Sequence, residues 1–185
     1  MFIQTEQTPN PATLKFLPGR TVLEGGTLEV TDPARAAETS PLARRLFEIE
    51  GVRGVYLAHD FVSVTKADDQ DWYVLKPALL SALMDHFMSG EPVAYPSAVV
   101  STAPASDADD ATVRKIKELL DTRVRPAVAH DGGDIVYHGF ERGVVYLHLK
   151  GACSGCPSSI VTLKSGIENL LRHYVPEVVE VRAIN

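Results

Sequence analysis

Residues 97–108, SAVVSTAPASDA, limit how this chain can fold more than any other stretch. They are small residues interspersed with Ser, Thr and Pro, and they sustain neither helical nor strand periodicity. Such a segment reads as a linker. It leaves two flanking units, residues 1–96 and 109–185, each the size of a small domain. Charge separates the two as well. The first holds 8 basic and 13 acidic residues and the second 10 of each, while Asp107 in the linker completes the net charge of −6. With 45% apolar residues overall, the chain has the composition of a packed globular protein.

In the first unit, strand-like runs fall at residues 2–5, 14–17, 27–30, 54–58 and 61–65. The last two flank His59-Asp60, a spacing suited to a two-residue hairpin. Helical signals cover residues 41–48, with Pro41 at a first-turn position, and roughly 73–88, where Leu75, Leu79, Leu83 and Phe87 form one apolar stripe.

The second unit opens with Asp109 or Asp110 as N-cap of a helix. That helix carries Val113, Ile116, Leu119, Leu120 and Val124 on one face and is expected to end near Pro126. After the turn His130-Asp131-Gly132-Gly133-Asp134 come strands at 135–140 and 144–149, then a helix from Pro157 or Ser158 burying Ile160, Leu163, Ile167, Leu170 and Leu171. A last strand at 178–183 completes an α-β-β-α-β order. The expected class is α+β: two small mixed α/β domains joined by a flexible linker.

Several functions are disfavoured. The lack of a basic block and the few aromatics argue against a nucleic-acid surface as the main function, and the acidity reads as solubility. No apolar run approaches the ~20 residues of a membrane-spanning helix. Residues 1–5 alternate like a strand and the first basic residue is Lys15, so the reading is a cytoplasmic chain, complete from its first residue and without a leader. No nucleophile elbow, HExxH or phosphate loop is present, and no enzyme activity is expected. Asp68, Asp69 and Asp71 lack the spacing of a calcium loop and read as a solvated turn. Thr8-Pro9-Asn10-Pro11 reads as a rigid turn, and Trp72 as a packing anchor or an exposed interface residue.

The chemical signal lies in the only two cysteines, Cys153 and Cys156, in the run Cys153-Ser154-Gly155-Cys156. A secreted disulfide scaffold of this length would use more cysteines, spread over longer loops. Metal is bound by thiolate, and Cys156 directly precedes an expected helix start, where unpaired N–H groups and the helix dipole favour negative charge. Gly151 and Gly155 let the backbone approach a bound group. Two thiolates are half of a four-ligand site. Three readings follow: a thioredoxin-like redox dithiol, a zinc site completed by His130, His148 or a second chain, and an iron–sulfur cluster shared between two chains. His130 is more readily a turn residue than a ligand. Gly132 and Gly133 read as turn glycines with positive φ, and His148 as projecting from the strand face opposite Leu147 and Leu149.

A family resemblance bears on the choice. Residues 109–185 resemble the NifU-like C-terminal domain of the Nfu iron–sulfur scaffold proteins through the opening amphipathic helix, Arg125-Pro126, Asp131-Gly132-Gly133-Asp134, the hairpin, and the run from Gly151 through Cys153 and Cys156 to Ser159. Residues 1–96 resemble the Nfu N-terminal domain through Gln4-Thr5, Thr8-Pro9-Asn10-Pro11, Leu14-Lys15-Phe16, Ser40-Pro41-Leu42-Ala43 and the run Asp60 to Lys66. The resemblance implies a scaffold or carrier holding a [4Fe–4S] cluster on Cys153 and Cys156. The cluster would bridge two protomers, with a homodimer as the loaded form. Implied partners are apo iron–sulfur client proteins and upstream cluster-assembly proteins. The absence of a targeting extension in this sequence makes it look like a bacterial cytosolic member.

Overall fold

The computed structural model describes residues 2–100, 110–155 and 157–184. The chain divides into two compact units, Met1–Thr102 and Ala103–Asn185. Residues 101–109, most of the stretch read as linker, lie outside the described residues, and Asp109 with them. The start of that stretch belongs to the first unit. Val100 and Thr27 exchange backbone hydrogen bonds of 2.9 and 3.1 Å, and Ala98 and Val99 pack on the first core.

The first unit is an antiparallel sheet backed by helices. Its strands are β1 (Gln4–Gln7), β2 (Thr13–Leu17), β3 (Leu28–Val30), β4 (Val52–Leu57) and β5 (Val62–Lys66), in the order β1-β2-β5-β4-β3. The His59-Asp60 turn closes as expected, with Ala58 N donating to Phe61 O at 3.1 Å. Helices α1 (Pro33–Thr39), α2 (Pro41–Phe47) and α3 (Trp72–Ser89) complete the unit. The core joins Phe16, Leu57 and Val62 of the sheet to Leu42 and Leu46 of α2 and to the stripe Leu75, Leu79 and Leu83 of α3. Asp71 caps α3 by accepting from Tyr73 N at 2.8 Å. Trp72 is an anchor: its Nε1 donates to Pro11 O at 2.9 Å, tying the helix to the Thr8–Pro11 turn.

His86, in the last turn of α3, is fully buried, and among the described residues neither ring nitrogen has a hydrogen-bond partner of good geometry. The nearest acid is Glu91, whose Oε2 lies 3.8 Å from Nδ1 and also holds Arg45. Burial, then the charge of Arg45, pushes the His86 pKa down, and Glu91 and the Pro92 backbone only partly oppose this. The unfolded chain therefore takes up a proton near the ordinary value of about 6.5 before the folded chain does. Stability of this unit falls as pH drops below that value and levels off below the lowered folded value. Urea unfolding followed by the fluorescence of Trp72, the only tryptophan, should show a lower midpoint at pH 5.5 than at 7.5. The drop should be smaller in His86→Leu. An equal drop in both would assign the dependence to other groups.

The second unit follows the expected α-β-β-α-β order. Its elements are α4 (Ala111–Leu119), α5 (Arg125–His130), β6 (Gly133–Glu141), β7 (Val144–Gly151), α6 (Pro157–Tyr174) and β8 (Glu180–Ile184). The sheet runs β6-β7-β8, with β6 and β7 antiparallel and β8 parallel to β7 after the α6 crossover. Asp110 caps α4. The first helix does not end near Pro126, as expected, but continues to His130 through a π-helical stretch, Leu120–Val124. Arg125 N donates to Leu120 O, five residues back. That wider turn accommodates Pro126, which has no N–H to donate and whose ring would crowd the carbonyl four residues back. Ile116, Leu120, Val124 and Val128 stay buried along this path, packed on Ile135, Leu147, Ile167 and Leu171. Among the described residues, no helix is long and apolar enough to cross a membrane.

Candidate functional site

The β6–β7 ladder ends where Gly133 pairs with Gly151. Beyond it the chain folds back over the strand ends. Ala152 N donates to Gly132 O at 3.1 Å, Cys153 N to Lys150 O at 3.3 Å and Ser154 N to Gly151 O at 3.1 Å. Gly151 and Gly155, at φ 61° and 79°, supply the left-handed backbone that this tight loop requires. Cys153 ends up only 6% exposed, within the core of the second unit. Cys156 lies outside the described residues. In sequence it directly precedes Pro157, the first residue of α6. The loop thus spans from a strand end to a helix start, where N–H groups lacking helical partners favour an anionic group.

Two structural features brace Cys153. Gly132 has the expected positive φ of 81°, but Gly133 does not share it. What Gly133 provides is space. A Cβ there would run into Cys153 Sγ and stand 2.8 Å from both Cys153 N and Lys150 O. The next residue, Asp134, is buried and held by Arg125 through two parallel hydrogen bonds, Nε to Oδ1 at 2.9 Å and Nη2 to Oδ2 at 2.8 Å. Asp134 Oδ1 also accepts from Ile135 N at 2.8 Å, and Arg125 Nη1 reaches Asp121 Oδ1 at 3.2 Å. The hydrogen bonds to Asp134 raise the Arg125 pKa against the opposing effect of burial, so this fork stays charged. Sequence reading noted Arg125 and Asp134 without pairing them. The available signal was an aspartate directly after two glycines, with an arginine on the preceding helix.

His130 is exposed at the end of α5, and His148 is half-buried on β7, on the strand face opposite buried Leu147. Among the described residues, no three His, Cys, Asp or Glu side chains are grouped to hold a metal. Asp68 and Asp69 are exposed in the turn before α3, as expected of a solvated turn.

Two family models match this chain: "Scaffold protein Nfu/NifU N terminal" over residues 3–90 and "NifU-like domain" over residues 116–182. The human protein named "NFU1 iron-sulfur cluster scaffold homolog, mitochondrial" is 54% identical over 179 residues, covering 96% of this chain and 70% of that protein. The Drosophila erecta protein of the same name is 50% identical, covering 100% of this chain and 65% of that protein. The chain therefore spans about two thirds of the length of these relatives. Among solved structures, a NifU-like protein from Saccharomyces cerevisiae aligns with 52% of this chain and 86% of its own, at 24% identity and a TM-score of 0.47. The relatives' names overturn the cytoplasmic expectation, for they designate mitochondrial proteins. That expectation rested on the first residues of this sequence, which is shorter than the relatives and does not by itself record an address.

Proposed function

The chain belongs to the Nfu/NifU iron–sulfur scaffold family, and from that premise we propose that it carries a [4Fe–4S] cluster as cargo and delivers it to apo-proteins. Cys153 and Cys156 are the ligands, and two copies of the chain share one cluster. What supports this most is the order of the chain: the sequence sets Cys153 and Cys156 between the end of β7 and Pro157, the first residue of α6. Delivery is thiolate exchange. A client cysteinate bonds to iron as a Cys153 or Cys156 thiolate leaves, so the number of iron–sulfur bonds is conserved and no electrons change hands. The role is transport rather than catalysis, and the partners are apo client proteins on one side and cluster-assembly proteins on the other.

Residues 109–185 hold the cluster in this scheme, and the unit that precedes them, which contains no cysteine, selects partners. Loaded protein of residues 1–185, mixed anaerobically with an apo-protein that needs a [4Fe–4S] cluster, should restore that protein's absorbance and activity as its own absorbance falls. Residues 109–185 alone should still load, but deliver more slowly or less selectively. Loaded protein that releases nothing to any acceptor would contradict the carrier role. Failure of the folded 109–185 segment to load would contradict the division of labour.

A further inference from the structure

The geometry points to Gly133 as a positioning residue for Cys153, with the Arg125–Asp134 pair holding the strand against which the sulfur rests. The inference takes from the proposed function only that the Cys153 thiolate is a working ligand. Gly133 opens β6, and its φ lies outside the left-handed region, so the backbone itself would accept alanine. The obstacle is what a methyl group would meet. Cys153 Sγ stands in its place, and Cys153 N and Lys150 O lie 2.8 Å away. These last two form the hydrogen bond that closes the cysteine turn, so neither can swing aside without opening it. Gly139, in the same strand, has nothing within 4 Å of the equivalent point.

The strand cannot retreat instead. Asp134, the next residue, is buried and bound at both carboxylate oxygens by Arg125 from α5. A side chain at 133 must therefore displace the sulfur outward or break the turn. The bare Cα sets how deep Cys153 sits, and so where its thiolate points.

The test uses the chain of residues 1–185 with Cys156→Ser, which leaves Cys153 as its only thiol, and reads its alkylation by iodoacetamide under reducing, anaerobic conditions. Adding Gly133→Ala should speed alkylation by roughly tenfold or more, because a sheltered sulfur becomes accessible. Gly143→Ala is the control. Its Cβ would press on Val179 Cγ2 at 2.8 Å and Glu177 O at 3.1 Å, at the opposite end of the β6–β7 hairpin. It burdens the same unit but should leave the rate within about twofold. In the chain with both cysteines, Gly133→Ala should also lower iron and sulfide uptake, and Gly143→Ala should not.

An unchanged rate in Gly133→Ala overturns the proposal, and so does equal acceleration by Gly143→Ala, which would mean general loosening. Should circular dichroism show Gly133→Ala unfolded, Arg125→Lys decides. It keeps the charge but loses the fork, and faster alkylation supports the role whereas the parent rate rejects it. The alkylation result stands even if the unaltered protein takes up no cluster, an outcome that would count against the carrier reading alone.

Discussion

Serine in place of either Cys153 or Cys156 should reduce iron and acid-labile sulfide from about two of each per chain to background after anaerobic reconstitution. The expected loss is nearly complete because the chain has two cysteines and no spare thiol. A serine hydroxyl stays protonated under conditions where a cysteine at a helix start ionises, so it offers iron a far poorer ligand. Serine is close to cysteine in size, and folding should survive. Cys153 is the more sensitive position, since a hydroxyl placed in its buried setting costs on the order of 1–3 kcal/mol if left without a partner. Urea unfolding of the apo variants therefore belongs beside the iron analysis. A folded variant that keeps full iron and sulfide would remove its cysteine from the site.

Loading should also double the mass. Four thiolates at two per chain require two chains around one [4Fe–4S] cluster. The iron–sulfur bonds themselves then join the protomers, and any state that binds the cluster is stabilised by it. Light scattering before and after anaerobic reconstitution should show monomer passing to dimer in step with iron uptake. Chelation of the iron should reverse the change. Protein that reaches full stoichiometry yet stays monomeric would point to outside thiols, such as glutathione, completing the site.

Legibility in the sequence tracked how local each cause is. The stripe Leu75, Leu79 and Leu83 and the His59-Asp60 turn are fixed by neighbouring residues, and both appear where the spacing put them. Helix α1 went unseen because it buries one residue, Ala36, and so has no apolar periodicity. Its start was nonetheless written in Asp32-Pro33, where Asp32 accepts from Ala34 N at 2.9 Å. Pro126 misled for the opposite reason. Local propensity stops a helix there, but burial of Val124 and Val128 in the second core carries the helix on through a wider turn.

The cysteine pair stood out in the sequence as a candidate, since two thiols at that spacing before an expected helix start have few uses. What braces it did not. Gly133 meets Cys153, and Arg125 meets Asp134, only after β6 and β7 pair and α5 packs beside them. No periodicity announces contacts of that kind. The cellular address was misread because an N-terminal stretch of this sequence was asked to speak for relatives that are longer.

The central claim is that this chain carries an iron–sulfur cluster on its one cysteine pair. Its most direct test is the iron, sulfide and zinc content of the unaltered chain after anaerobic reconstitution. The account predicts about two iron and two sulfide per chain, with the visible charge-transfer absorbance of a [4Fe–4S] cluster and no stoichiometric zinc. Zinc without sulfide would contradict it in favour of a zinc site, and no metal together with disulfide reductase activity would contradict it in favour of a redox dithiol.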